Sequence, residues 1–226
     1  QAFTSFTFNS NTRIGNIEKT IYLYENLARI DFKTTIELKK SRVFLKVRFP
    51  LKMKNFKTFY STQFAVVERK KGHFPAYDWV ACEDNESGIG LINTGNIGYW
   101  IDKNYLDLVL LWSVEQIRPP KCYTAPLANE LGKHTFTYSL FPYEGRWKDS
   151  NIVKEGLLFN APLIPYVKEE GLINQGGLDI VPLKEKSFIK VHPEDFIITA
   201  LKRSEDAKAL ILRGYESKGE KKEVKI

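Results

Sequence analysis

A chain of 226 residues can form one large domain or two small ones, and a hydrophobic fraction of 43% excludes wholesale disorder. The formal net charge of +7 comes from 34 basic and 27 acidic side chains that are dispersed along the chain, so no basic stripe indicates nucleic-acid binding. No apolar run reaches the roughly 18 residues that a membrane span needs. We therefore expect no nucleic acid and no membrane among its partners.

The cysteine content and the first residues of the chain give two further expectations. Cys82 and Cys122 are the two cysteines, too few for a disulfide framework, so we expect free thiols and a cytoplasmic, reducing location. The start, Gln1-Ala2-Phe3, is no secretory signal and lacks an initiator Met. This start is what a piece of a longer chain would show.

The first part of the chain predicts antiparallel strands. Residues 2–8 predict a strand, and residues 9–11 predict a turn. Residues 17–27 fit either a helix face or a strand face, and the β-favouring Thr20-Ile21-Tyr22 favours the strand. Residues 28–38 alternate most regularly, with an apolar or small side chain at every second position.

The middle of the chain continues the strand pattern. Residues 70–75 predict a loop, and the near-continuous apolar run at 106–113 predicts a strand that is buried on both faces. The other strands in this part are predicted at residues 43–49, as a pair within 56–68, and at 79–82, 89–92 and 99–101.

The stretch HTFTYSLFPYEGRW, residues 134–147, follows a Pro-containing loop predicted at 115–133. Phe136, Tyr138 and Leu140 alternate with polar residues, which predicts a strand with one face in the core. Pro142 is predicted to end this strand, because proline has no N–H to donate. A helix is predicted at 150–158, capped by Ser150. The remaining strands are predicted at residues 179–183, 188–191, 196–201 and 209–215.

About a dozen short strands with at most one or two short helices predict an all-β fold, a large multi-stranded antiparallel (super-)β-sandwich. We expect residues 1–226 to form a single domain. Nucleotide-binding signatures are absent, and His73, His134 and His192 lie too far apart in sequence for a metal motif. Carboxylates suited to glycoside hydrolysis are present. They are Glu83, Asp84, Glu86 and Glu144.

Two long stretches, GIGLINTGNIGY at 88–99 and HTFTYSLFPYEGRW at 134–147, occur in order with several shorter ones. The shorter ones are residues 29–32, 45–50, 68–69, 106–113, 160–163, 199–206 and 210–216. Together and in this order, these stretches resemble the C-terminal β-domain of the family 38 α-mannosidases. The chain departs from the family pattern at Pro142-Tyr143, where relatives commonly have Pro-His, and at Leu111-Trp112-Ser113.

The resemblance implies an enzyme that removes α-linked mannose, with a zinc ion and an aspartate nucleophile in a catalytic domain that precedes this segment. It implies no catalytic residue and no metal ligand within these 226 residues. The expected partners are that catalytic domain, on which the β-sandwich would pack, and a mannose-containing oligosaccharide.

Six residues are predicted to contact sugar at the rim of the cleft. Asp84, Asn85, Asn93 and Tyr99 match positions near the cleft-facing loops of the family, and Tyr143 and Trp147 border the same corner. The structural alternative is that Asn93 and Gly95 only form a hairpin turn and that the aromatics only pack in the core.

Two other functions are compatible with the sequence. One is a free-standing carbohydrate-binding β-sandwich without catalysis. Its stacking platforms would be Trp79, Trp100, Trp147 and Tyr143. The other is an interaction module whose apolar surface docks another chain.

Overall fold

The computed structural model describes residues 2–114, 129–164 and 187–226. These ranges contain fourteen strands, one α-helix (α1, Ile152–Asn160) and a 3-10 turn at Trp147–Asp149. The strands are β1 (Phe3–Thr12), β2 (Gly15–Tyr24), β3 (Leu27–Leu38), β4 (Val43–Pro50), β5 (Lys57–Thr62), β6 (Ala65–Arg69), β7 (Gly72–Pro75), β8 (Trp79–Glu83), β9 (Ser87–Asn93), β10 (Gly98–Asp102), β11 (Tyr105–Ser113), β12 (Gly132–Glu144), β13 (Phe196–Arg203) and β14 (Leu210–Glu216).

The predicted all-β antiparallel sandwich is confirmed. The described chain divides into two compact units, Gln1–Asn160 and Ala161–Ile226. The first unit holds an eight-stranded sheet of order β1-β2-β3-β12-β9-β8-β5-β6 and a four-stranded sheet of order β4-β11-β10-β7. The second holds the hairpin β13–β14. No helix in the described ranges has the length and apolar character to cross a membrane.

The main core lies between the two sheets of the first unit, because buried side chains from both form one cluster. From the larger sheet they include Phe32, Tyr60, Val80, Leu91 and Tyr138; from the smaller sheet they include Val47, Tyr99, Ile101, Leu106 and Leu108. Burial of these large apolar side chains is the main contribution to stability. The predicted inward face of residues 134–140 is correct, since Phe136 and Leu140 pack against this cluster beside Tyr138.

The opposite face of the larger sheet is covered in part by α1. Ile152 of the helix is fully buried and packs with Trp79, Ile92, Phe141 and Trp147. The predicted helix is confirmed with a shift of two residues. Ser150 lies one position before the N-cap position, and its Oγ accepts the N–H of Ile152 at 3.3 Å. Strand β12 therefore contributes to a packed layer on each of its two faces.

The outer face of the smaller sheet carries a charged cluster. The buried carboxylate of Asp107 on β11 binds Lys46 Nζ at 2.6 Å and Arg48 Nε at 2.8 Å. Burial alone would raise the pKa of Asp107, but the hydrogen bonds from Arg48 and Lys46 outweigh burial and lower it. The two cations also lie over aromatic rings, with Lys46 4.2 Å from the Trp100 ring and Arg48 3.7 Å from the Tyr105 ring.

Four predictions for local structure are wrong, and strand pairing explains three of them, including the one for Pro142. Residues 9–11 continue β1, because Asn9, Ser10 and Asn11 pair with β2. Residues 72–75 form β7 rather than a loop, because they pair with β10. Residues 188–191 form no strand. The predicted loop at 115–128, the predicted strand at 179–183 and Cys122 fall outside the described residues.

Pro142 does not end its strand, contrary to the prediction. β12 pairs with β3 only as far as Leu140, and beyond that residue it pairs with β9 alone as far as Glu144. Pro142 therefore lies where one side of the strand has no neighbouring ladder, and a missing N–H there breaks no hydrogen bond.

We predict that Gly88→Ala destabilises the first unit by about 1–3 kcal/mol, because a core position is overpacked. A Cβ at Gly88 would lie 2.1 Å from Cζ of Tyr143, and that ring is also held by a hydrogen bond to Glu83. Urea unfolding measures the change. Glu86→Ala, at an exposed neighbouring position, is the control and should lie within about 0.5 kcal/mol of wild type. Equal stability of the two variants would contradict the prediction.

Candidate functional site

The six residues predicted to contact sugar fall into two groups at opposite ends of β9. Asp84 and Asn85 form the turn before β9, and Tyr143 pairs with Gly88 at that end. Asn93 is the last residue of β9. The seven residues of β9 separate the groups by about 20 Å. One sugar residue cannot bridge them.

Asp84 organises the β8–β9 turn. Its Oδ1 accepts the backbone N–H groups of Glu86 and Ser87, each at 2.9 Å. These two hydrogen bonds hold the pKa of Asp84 below its usual value. Asn85 is exposed at the tip of the turn. Among these two residues, Asn85 has the side chain that is open to a ligand, and Asp84 has a structural role already.

Tyr143 and Trp147 are anchored by a buried carboxylate, that of Glu83. Glu83 Oε2 accepts the Tyr143 hydroxyl at 3.0 Å and the Trp147 backbone N–H at 2.6 Å. Burial raises the pKa of Glu83, and these two hydrogen bonds oppose the rise. Trp147 is 5% exposed and its ring packs against Phe59 and Trp79. Tyr143 and Trp147 thus pack against the protein and support the turn at 145–149.

Asn93 and Tyr99 lie together, as predicted, but both are buried. Asn93 is fully buried and Tyr99 is 2% exposed. The Asn93 side-chain amide donates to the Tyr99 hydroxyl and contacts the carbonyl oxygens of Tyr77 and Asp78 at 3.2 and 3.3 Å. Its Oδ1 has no hydrogen-bond partner among the described residues. Asn93 therefore fixes the segment that precedes β8, and its side-chain oxygen Oδ1 has no donor among the described residues.

Sequence reasoning missed the residues that surround Asn93. We call Tyr77, Asp78, Asn93, Thr94 and Asn160 the rim cluster. Tyr77 is 60% exposed, and Thr94 is exposed on the β9–β10 loop. The Asn160 side-chain amide, at the end of α1, donates to the backbone carbonyl oxygen of Asn93 at 2.9 Å. The one sequence signal was Asn160-Ala161-Pro162-Leu163, which carried part of the family resemblance without any assigned role.

Asp78 gives the rim cluster its titratable group. The side chain is half-buried, and burial raises its pKa to about 6. No ion pair from a described residue compensates its charge. A carboxylate of this kind can accept hydrogen bonds from a hydroxyl-bearing ligand, and near neutral pH it is close to its own pKa.

The aromatic residues of the carbohydrate-binding alternative are mostly not on the surface. Trp79 is 2% exposed, and Trp147 and Tyr143 pack as described above. Trp100 is half-buried, with His73 at 4.1 Å on its ring and Lys46 at 4.2 Å. Trp112, which lies in a stretch that departs from the family pattern, is 67% exposed beside Phe44.

The described residues contain no group of three His, Cys, Asp or Glu side chains that could hold a metal ion. Cys82, the cysteine within the described ranges, is a buried free thiol whose pKa burial raises to about 12. It is therefore protonated at neutral pH and a poor nucleophile.

Comparison with known proteins decides the family. The family described as Glycosyl hydrolases family 38 C-terminal domain matches residues 3–118. The chain belongs to this family. A second description, Glycosyl hydrolases family 38 C-terminal beta sandwich domain, matches residues 195–226. The family 38 match thus includes strands of the first unit and the hairpin of the second.

Curated relatives of this family 38 chain are named as α-mannosidases. Alpha-mannosidase G of Dictyostelium discoideum is 27% identical over 215 residues, which cover 91% of this chain. Alpha-mannosidase 2C1 of Homo sapiens is 25% identical over 203 residues, which cover 84%. The chain spans only 18% of the length of each of these relatives.

The fold is shared with solved family 38 structures. A glycosyl hydrolase family 38 protein from Enterococcus faecalis superposes with a TM-score of 0.73 at 18% identity, covering 88% of this chain and 24% of that chain. An α-mannosidase from Enterococcus faecalis V583 gives the same TM-score at 17% identity, covering 88% and 23%. At this identity the likeness shows the fold of the β-domain and not its substrate.

We predict that Asp78→Asn stabilises the protein at neutral pH. The folded pKa of about 6 lies above the unfolded value of about 3.9, so ionisation of Asp78 lowers stability as pH rises between these values. After allowance for partial exposure, the gain should be about 1 kcal/mol near pH 7 and should shrink toward about pH 4. Urea unfolding at several pH values measures it.

Asp84→Ala is the control of opposite sign, because backbone N–H groups stabilise that carboxylate and its removal should lower stability at neutral pH. If Asp78→Asn were the less stable protein at pH 7, the carboxylate would have a favourable partner, contrary to the prediction.

Proposed function

We propose that this chain is the C-terminal β-sandwich domain of an α-mannosidase, an enzyme that hydrolyses α-linked mannose in oligosaccharides. The proposal is supported by the family match and by relatives that are named α-mannosidases and are over five times as long as the matched part. The catalytic residues and the zinc ion then belong to a catalytic domain in the rest of the parent enzyme. The described residues offer no ligand set that fits zinc, so we assign them no step in the bond cleavage.

Within this proposal, the rim cluster is the part of the first unit that faces substrate. The proposal rests on two features that lie together at one end of β9. Asp78 is half-buried and forms no ion pair with a described residue, and the Tyr77 ring is exposed. A sugar site commonly combines an aromatic face with a few placed polar groups. Asp78 would accept hydroxyl hydrogen bonds, and Tyr77 would pack on the apolar face of a sugar ring.

The buried Asn93 and Tyr99 act behind this surface. Their hydrogen bonds hold the backbone of Tyr77 and Asp78, so they would orient the rim cluster without touching the sugar. Contact of Asp84, Asn85, Tyr143 or Trp147 with sugar stays a prediction. Packing of the whole chain on a catalytic domain as one domain also stays a prediction, as does a cytoplasmic location, which the buried free thiol of Cys82 supports.

We predict that the full-length protein that contains this sequence hydrolyses an aryl α-mannoside and loses activity when zinc is chelated. Residues 1–226 alone should show no turnover, and circular dichroism verifies that this segment is folded. Chelator-sensitive turnover by the segment alone would show that catalysis occurs within it, and it would overturn the assignment of catalysis to a separate domain. Absence of α-mannosidase activity in the full-length protein would overturn the proposed activity.

We also predict that Tyr77→Ala in the full-length protein raises KM for a mannose-containing substrate by roughly 3- to 10-fold, with a smaller effect on kcat. The reason is that an exposed ring at the rim contributes to substrate binding rather than to the chemical step. Trp112→Ala, an exposed aromatic on the other sheet, is the matched control and should leave KM unchanged. Identical KM and kcat values in both variants would show that Tyr77 does not contribute to substrate binding.

A further inference from the structure

A polar cavity of about 570 Å³ opens on the first unit. It lies at one end of strands β1, β2 and β3, with Lys133 of β12 at its border. The side chains that matter for recognition are amides, carboxylates and a hydroxyl. They are Asn9, Asn11, Asn16, Glu18, Thr35 and Glu37.

Strand register places these side chains on one face of the larger sheet. Asn11 pairs with Asn16, and Asn16 pairs with Glu37. The Asn16 amide donates to Glu37 Oε2 at 3.3 Å, which confirms that the two side chains meet. The alternate residues of β3, Ile36 and Leu38, are buried in the core, so the polar row faces outward.

The same face continues toward an aromatic end. The next rows are Asn9 with Glu18 and Thr7 with Thr20, whose hydroxyls lie 3.0 Å apart. Eight residues along β1 from Asn11, Phe3 packs edge-on against Tyr22 at 5.8 Å. The distance between the two ends is about 27 Å at 3.4 Å per residue. We call this face, from Asn11 and Asn16 to Phe3 and Tyr22, the polar track.

The polar track has hydrogen-bonding capacity that the protein leaves unused. The amides of Asn9 and Asn11 and the carboxylate of Glu18 form no side-chain hydrogen bond or ion pair with a described residue. All ten residues of β1 are exposed, including Phe3 at 58%. Within this chain, no described residue covers these groups along the length of the strand.

The charges on this face argue against a polyanionic ligand. Acidic Glu18 and Glu37 are balanced by basic Lys33 and Lys133 on the same face. A balanced face has no net attraction for a polyanion such as nucleic acid. Planar amides, carboxylates and threonine hydroxyls match the hydroxyl groups of sugars, and the Phe3–Tyr22 pair supplies an aromatic surface for a sugar ring.

We propose that the polar track is a binding site for an uncharged oligosaccharide chain. The middle row of the track runs through Thr20 and Lys33 to Thr137, whose carbonyl accepts the Thr94 hydroxyl of the rim cluster at 3.1 Å. The track is thus continuous with the rim across neighbouring strands. It would hold a distal part of a glycan while another part occupies the rim.

Titration calorimetry of the full-length protein with an S-linked mannotriose, which glycosidases do not cleave, tests the proposal. We expect two sites per chain, one of them with Kd of roughly 0.1–1 mM as is usual for a shallow, wet site. The double variant Asn16→Ala/Glu18→Gln should lose that site, and Tyr22→Ala should weaken it at least about 5-fold. Asn104→Ala, an exposed turn residue between β10 and β11, is the control and should keep both sites.

Asn16 and Glu18 are exposed, so thermal unfolding of the double variant should stay close to that of wild type. Tyr22 is half-buried, so thermal unfolding of Tyr22→Ala is measured beside its binding. For these variants, kcat and KM for a small aryl mannoside should also stay unchanged, because that substrate does not reach the track. A single site in wild type that survives the double variant overturns the proposal. If the full-length protein had no α-mannosidase activity but lost mannotriose binding in the double variant, the proposed function would fail and the polar track would stand.

Discussion

Strand β12 holds the larger sheet together, because it pairs with β3 on one side and with β9 on the other. Without it the sheet would divide into β1-β2-β3 and β9-β8-β5-β6. Its Tyr138 is fully buried, stacks on Phe32 at 5.2 Å and shares a 2.8 Å hydrogen bond with Thr34. The pairing brings together residues about a hundred positions apart, so its loop-closure cost must be offset by the core it completes.

Both faces of the larger sheet are buried where β12 and its neighbours lie. Helix α1 forms the layer on the outer face, and two glycines allow it to approach the sheet. A Cβ at Gly90 would lie 2.4 Å from Cδ1 of Ile152, and one at Gly156 would lie 2.7 Å from Cδ1 of Trp79. The helix therefore approaches the sheet at points where a side chain is missing. This layer stops at β3, where Arg29 binds Glu155 at 2.8 Å, and the β1–β2 face remains open.

Sequence patterns predicted the strands whose own residues alternate regularly between apolar and polar side chains. Residues 28–38 alternate, and the alternation alone placed Ile36 and Leu38 in the core. β7 was missed because a four-residue segment with Gly72 and Pro75 has no pattern, and its pairing with β10 is decided far away in sequence. Pro142 was misread for the same reason, since its tolerance depends on where the β3 pairing ends.

The candidate site was harder to predict because a side chain that can bind sugar can equally well bind its own protein. Asn93, Tyr99 and the pair Tyr143–Glu83 have suitable chemistry, yet each has internal hydrogen bonds that secure a loop. Asp78 and Asn9 have similar chemistry and no such partners among the described residues. Buried polar groups are almost always satisfied internally, so an external ligand is best sought at the polar groups that the fold leaves unpaired. This criterion separates the rim cluster and the polar track from the residues that support them, and it requires coordinates because pairing cannot be read from residue type.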